Sequence, residues 1–339
     1  MNLTAWERFW YPQISLRRLA AFRIAVAWLC LYDAFLYDPT HLVANAEGVE
    51  VTWNPLVAFD LLGLRPPSVA TTAWLATLYQ GAALAMLLGF RTRTCCLLLA
   101  LLAFWQGGLF YSLTKVRHDR VALCFATFAL AMSPSGGAFS LDAWLRARAG
   151  RPEPDAAWAA WPIVLTQVTV AIGYSAAGLT KLLHAGWTNG YTLQGIVLGH
   201  RGHFADVAAA HVGVCQVLSV LTIAAELLTP LCLFWPRCAF VFVPAVVGFH
   251  FGTWATMDTG PYMTLWFLWV AFVPLDQVGG WLRRTWTTKP TAAVAVGTWA
   301  LAMLAVVAVV MARVGPWSIL ALGIVLHELV RRLDRSAQR

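Results

Sequence analysis

Apolar runs of roughly 17–25 residues, broken by short polar stretches, recur along the whole chain, and each can cross ~30 Å of hydrocarbon as a helix. The pattern predicts spans at 17–37, 68–89, 94–114, 119–134, 158–183, 211–235, 238–257, 260–276, 292–312 and 315–332. The fourth and eighth are short and can be tilted, half-buried or merged with a neighbour, so the prediction is eight to ten transmembrane helices. The fold class is all-α: a polytopic integral membrane bundle forming one membrane domain over 1–339. Three longer polar stretches interrupt it, at 38–67, 135–157 and 184–210. The second has turn and linker composition around Ser133-Pro134-Ser135-Gly136-Gly137 and Arg151-Pro152. The third, which includes Gly186, Gly190, Gly195 and Gly202, is expected to hold a short helix lying over the membrane surface. Residues 292–332 form a plainer pair with few polar groups, peripheral to any site.

Composition agrees with that pattern. The chain of 339 residues is 60% apolar and only 12% charged, where a soluble domain has about 25% charged residues. A net charge of +8 would suggest nucleic acid if the basic residues clustered among aromatics. They do not. With the N-terminus in the cytoplasm, 16 Lys and Arg fall on the cytoplasmic side, 7 on the far side, and Arg23 lies within the first helix. That asymmetry follows the positive-inside rule, predicts both termini in the cytoplasm, and offers an attraction for anionic lipid. Arg23 and Asp33 inside the first run, and its length, argue that it is a retained helix and not a signal peptide. The seven cysteines show no C-x-x-C spacing and read as small packing residues, with no metal site expected. Tryptophans gather near helix ends, as interfacial anchors do.

The candidate chemistry lies in the polar groups of the apolar runs. Lys181 closes the fifth run and His118 precedes the fourth. A lysine amine close to hydrocarbon is costly and asks for more than a packing role, although snorkelling to the headgroups is the ordinary alternative. Counting along consecutive helices puts His118 and Lys181 at one level, about 30 Å above the inner end, in a shared outward-facing pocket. Gly173, Ala177 and Lys181 share a helix face, and small residues there admit a close neighbour. Arg23 and Glu226 fall at similar depths with opposite charge, which predicts a structural ion pair. Asp33 either neighbours Lys181 or caps an interfacial turn. His250 lies mid-helix, and Gln80, Gln106 and Gln167 are expected to hydrogen-bond between helices.

At these residues the chain resembles a known family. Leu19-Ala20-Ala21-Phe22-Arg23-Ile24, followed by an acidic residue near the helix end, is similar to the opening of the horizontally transferred transmembrane (HTTM) domain, shared with the vitamin K-dependent gamma-carboxylases. Ala177-Gly178-Leu179-Thr180-Lys181-Leu182 with Gly186-Trp187-Thr188-Asn189-Gly190-Tyr191 resembles the A-G-x-x-K-L…W-x-x-G-Y segment that carries the catalytic base of those enzymes. His118, ahead of Ser133-Pro134 and Phe139-Ser140-Leu141-Asp142, matches the family's active-site histidine. His250 through Gly260-Pro261-Tyr262 resembles a later His…G-x-F/Y block, and Glu226 falls where the family has an acidic residue. The likeness covers roughly residues 10–280.

The resemblance implies a catalytic base at Lys181, His118 as its partner, and Tyr174, His250, Trp187 and Tyr191 as substrate-binding residues. It implies vitamin K hydroquinone or another quinol, with O2 and CO2, and no metal. In the carboxylases the lysine deprotonates the hydroquinone, reaction with O2 creates a strong base, and that base takes a glutamate proton before CO2 is captured. A desolvated lysine can do such work near neutral pH, and a lipid-lined site would shield it from water. The expected activity is thus a carboxylase-like lyase or quinol-oxidising, epoxidase-like reaction in a bacterial inner membrane, facing the periplasm or exterior. The alternative is a non-catalytic membrane partner or maturation subunit. The carboxylases' long lumenal domain has no counterpart before residue 339, which favours that alternative. A transporter would show repeated halves with a midplane site, and no halves are evident. Expected partners are membrane lipid, a lipid-soluble small molecule and a membrane protein, with no nucleic acid.

Overall fold

A computed structural model describes residues 4–47, 53–114, 120–200, 205–257 and 269–273. Among them every regular element is helical. In chain order these are α1 (Ala5–Trp10), α2 (Leu16–Leu36), α3 (Pro39–Glu47), α4 (Val57–Leu61), α5 (Val69–Leu88), α6 (Thr92–Leu113), α7 (Val121–Ala131) and α8 (Leu141–Arg148). They continue as α9 (Trp161–Leu182), α10 (Ala185–Thr188), α11 (Tyr191–Leu198), α12 (Ala205–Ala210), α13 (Val212–Leu228), α14 (Leu231–Phe234) and α15 (Ala239–Met257), with a 3-10 turn at Trp269–Phe272. Six stretches are long and apolar enough to cross a membrane: Leu16–Ala46, Val69–Leu88, Thr92–Leu113, Trp161–Leu182, Val212–Phe234 and Pro236–Trp254. The protein is a multi-pass membrane protein.

The first seven expected spans correspond to α2, α5, α6, α7, α9, α13 with α14, and α15. The fourth is short indeed: α7 has 11 residues, too few to span the hydrocarbon alone. Of the eighth expected span only the Trp269–Phe272 turn is described. The ninth and tenth, and with them the peripheral pair 292–332, lie outside the described residues.

Local chemistry sets the helix ends. Ser15 and Ser68 cap α2 and α5 by accepting from the backbone N–H of Arg18 and Thr71, satisfying donors that have no partner within the helix. Helix α5 stops at Gly89, whose left-handed φ of 68° closes the last turn. The next helix begins three residues later without a capping side chain of its own. Asp142 of α8 supplies the cap, accepting from the backbone N–H of Arg91 at 2.9 Å and of Thr92 at 2.7 Å, and from the Thr92 hydroxyl at 2.7 Å. Within the spans, the hydroxyls of Thr72, Ser112, Thr127 and Thr166 bond back to carbonyls one turn earlier. All four side chains are buried, so the preceding turn of the helix supplies the acceptor that water would otherwise provide.

Packing centres on α2, with Leu19, Ala20, Phe22, Val26, Ala27, Leu29 and Cys30 all buried. It lies against α5 and α7, and α7 in turn against α6 and α9. The outer faces carry exposed Leu78, Leu84, Leu101, Phe125, Leu218 and Leu221, apolar residues that lipid solvates. Short helices fill the connections. Phe59 of α4 presses its ring so close to Gly108 of α6 that an added Cβ would lie 2.4 Å from the ring. Within 184–210 the described residues fold as α10, α11 and α12 packed against α13, where one surface helix was expected.

Candidate site at Lys181

Two charged groups on α2 are committed to structure. Arg23 is fully buried and donates to three backbone carbonyls: Ser135 at 2.9 Å, Ala138 at 3.4 Å and Phe139 at 2.6 Å. It locks the turn between α7 and α8 onto α2. The expected Arg23–Glu226 ion pair is therefore not formed. The carbonyls of a tight turn, bent around Phe139 with φ 46°, take both terminal nitrogens of the guanidinium where a carboxylate was expected. Asp33 does not meet Lys181 either. Its carboxylate lies 3.1 Å from the Arg120 guanidinium, with 2% and 4% of the two side chains exposed. Arg120 also stacks over the rings of Tyr37 and Phe110, at 4.8 and 4.4 Å, and the cation gains from both π faces. Gln106 donates to the Tyr37 carbonyl and Gln167 to that of Ala271, interhelical roles that their positions suggested.

Glu226 has a different partner. Lys181 Nζ donates to both of its carboxylate oxygens at 2.7 Å, with 17% of the lysine side chain and 5% of the glutamate exposed. The contact is possible because α9 and α13 nearly touch at Gly178. A Cβ there would come within 2.9 Å of the Glu226 Cβ and 3.0 Å of the Leu227 nitrogen. The missing side chain of Gly178, one turn below Lys181, thus lets the two helices close on the ion pair. Glu226 is 14 residues from Val212 and 8 from Phe234, the ends of its candidate span, or roughly 21 and 12 Å along the helix. Lys181 is the penultimate residue of its own candidate span, so the pair joins the end of α9 to a point well inside the α13 span. Consecutive helices do not start at one level, and sequence counting has no way to see the offset.

Around this pair the fold gathers further groups. Tyr174, two turns below Lys181 on the same face of α9, shares a 2.7 Å hydrogen bond between its hydroxyl and His250 Nε2 of α15. Both are buried. From above, Trp187 of α10 brings its ring centroid to 5.5 Å from Nζ. Tyr191 is exposed at the start of α11 and joins the group by neither hydrogen bond nor ring contact; its backbone N–H is taken by Asn189. His118 lies outside the described residues. Reading along the chain did not single out Ser219, which is fully buried on the same stripe of α13 as Glu226 and whose Oγ finds no partner among the described residues. A seven-residue spacing from Glu226 was the available signal. Nor, among the described residues, do three His, Cys, Asp or Glu side chains gather as a metal would require. Chemically the cluster offers a buried amine–carboxylate pair able to pass a proton, a phenol–imidazole pair, and an aromatic lid.

No curated protein and no solved structure matches the chain. The model of one family does, over residues 11–276, more than three-quarters of the chain and the whole of the region that holds α2, the Asp142 cap, Lys181, Glu226 and His250. The chain belongs to the HTTM domain family.

Proposed function

We propose that this protein is a vitamin K-dependent gamma-carboxylase-like membrane enzyme in which Lys181 acts as general base on a quinol or another lipid-soluble substrate. Family membership supports the reading, since the HTTM domain is also the family of the carboxylases' membrane domain. The observation that carries it is the Lys181–Glu226 pair inside an apolar span. For folding alone, two apolar side chains would serve as well without the desolvation cost, and ionisable groups within spans have functional roles by default.

The residues present suit a quinol: apolar helix faces for a ring, and groups at Lys181 and at Tyr174–His250 to meet its oxygens. A quinol would supply a hydroxyl proton and a ring oxidisable by O2. Shifting the Lys181 proton to Glu226 cancels two desolvated charges. The neutral amine can then take a proton from a bound hydroxyl, and the ammonium stays against the oxygen it has deprotonated. Tyr174, oriented by His250, holds a second oxygen, and Trp187 keeps water from Nζ. By the family resemblance His118 partners the base, and the site faces the periplasm or exterior of a bacterial inner membrane. A second reading rests on the same geometry. Both charges of the pair are already satisfied, as they would be in a structural clamp of a non-catalytic membrane partner.

The test is quinol turnover by the full chain in nanodiscs, with reduced menadione as probe and dissolved O2. Lys181→Ala and Glu226→Gln should each cut consumption by about 10²-fold or more, with unchanged gel-filtration profiles, and His118→Ala should do likewise. Equal consumption by wild type and Lys181→Ala would sink the enzymatic reading. A stoichiometric protein partner co-purifying with a chain that turns over no quinol would establish the second.

A further inference from the structure

Helix α8 is amphipathic in an unusual sense: Asp142 and Arg146 face the protein and its large apolar residues face away. Asp142 is spent on capping α6, and Arg146 Nη2 reaches the Gly136 carbonyl. On the opposite face Leu141, Trp144 and Leu145 are 42%, 53% and 49% exposed, at the i, i+3, i+4 spacing of one helical stripe. No described element packs over them. The same face carries the exposed Arg148, whose guanidinium lies 4.6 Å above the Trp144 ring. Exposed Arg91 and Arg93 stand at the neighbouring start of α6, which α8 caps, and Arg151 follows α8.

An apolar stripe edged by arginines, on a helix too short to span, has the form of an in-plane interfacial helix. Tryptophan prefers the headgroup level, and an arginine beside it keeps its charge in the polar layer while its stem covers the ring. The acidic groups nearby, Asp142, Glu153 and Asp155, leave Arg91, Arg93, Arg146, Arg148 and Arg151 in net excess. We infer that α8 and the first turn of α6 form a lipid-binding surface that selects anionic phospholipid headgroups, the arginines taking the phosphates and Leu141, Trp144 and Leu145 entering the acyl boundary. The surface lies at the α6–α8 junction, and the inference does not depend on any activity at Lys181.

The experiment uses the full chain in neutral detergent micelles, with dioleoyl phosphatidylglycerol and dioleoyl phosphatidylcholine as probes. Retained lipid is counted by native mass spectrometry and the unfolding midpoint is followed on titration. Wild type should retain phosphatidylglycerol preferentially and be stabilised by it. Arg93→Gln with Arg148→Gln should weaken that preference by about fivefold for each charge removed, whereas the paired lysine substitutions should keep it. Trp144→Ser with Leu145→Ser should lower retention of both lipids alike. Equal retention of the two lipids by wild type, or a preference that survives the glutamine variant, would overturn the inference.

Discussion

Asp33 and Arg120 show how much a single residue can matter in this bundle. Each is nearly sealed from solvent, so removing one leaves the other charged and stranded. Asp33→Asn or Arg120→Met should each destabilise the fold by about 3–5 kcal/mol, read as a lowered unfolding midpoint in micelles. The double substitution should recover most of that loss, because it leaves no unpaired charge. Individual partners were the least legible part of the sequence. Lys181 and Glu226 both stood out as ionisable groups in apolar runs, yet their pairing depends on an offset between α9 and α13 that no spacing within either run encodes. Arg23 looked in need of a carboxylate because backbone carbonyls, common to every residue, leave no mark in a sequence.

Among the helices, close approach decides more than propensity. Gly178→Leu would drive a side chain into the Glu226 Cβ and the Leu227 backbone, forcing α9 and α13 apart. Loss of the ion pair should follow, with a lower unfolding midpoint and, if Lys181 is the base, lost turnover; Gly173→Leu, where a Cβ meets nothing within 4 Å, should be tolerated. Asp142→Ala should cost about 1–2 kcal/mol by uncapping α6, seen as faster amide hydrogen exchange in its first turn. The long helices were legible to within a few residues, since only a sustained apolar run can satisfy lipid. Helices α1 and α8 were not, because they are short and draw stability from caps and tertiary contacts. The capping box of Thr4 and Glu7 was present in the sequence and went unread, while hydropathy pointed to the longer runs.

For the molecule as a whole, the charge asymmetry yields a topology that labelling can test. With native cysteines replaced, a cysteine at 148 should react only after vesicles are opened to the cytoplasmic side, and one at 65 from outside. Reaction of both from one side would reverse or break the assignment. Class and membrane residence were legible from composition alone, because a chain this apolar can bury its surface only in lipid. The level at which α9 meets α13 was not, since it belongs to the relation between helices.

The surroundings of Lys181 bear on how anything could arrive there. Helix α9 ends at Leu182, and about its end Leu179, Leu182 and Leu183 are 50%, 47% and 75% exposed, while α10 roofs the amine with Trp187. A visitor from bulk water would have to pass an oily doorway, whereas one already dissolved among acyl chains would slip in from the side. Potency toward this centre should therefore track partition into the bilayer more closely than aqueous concentration.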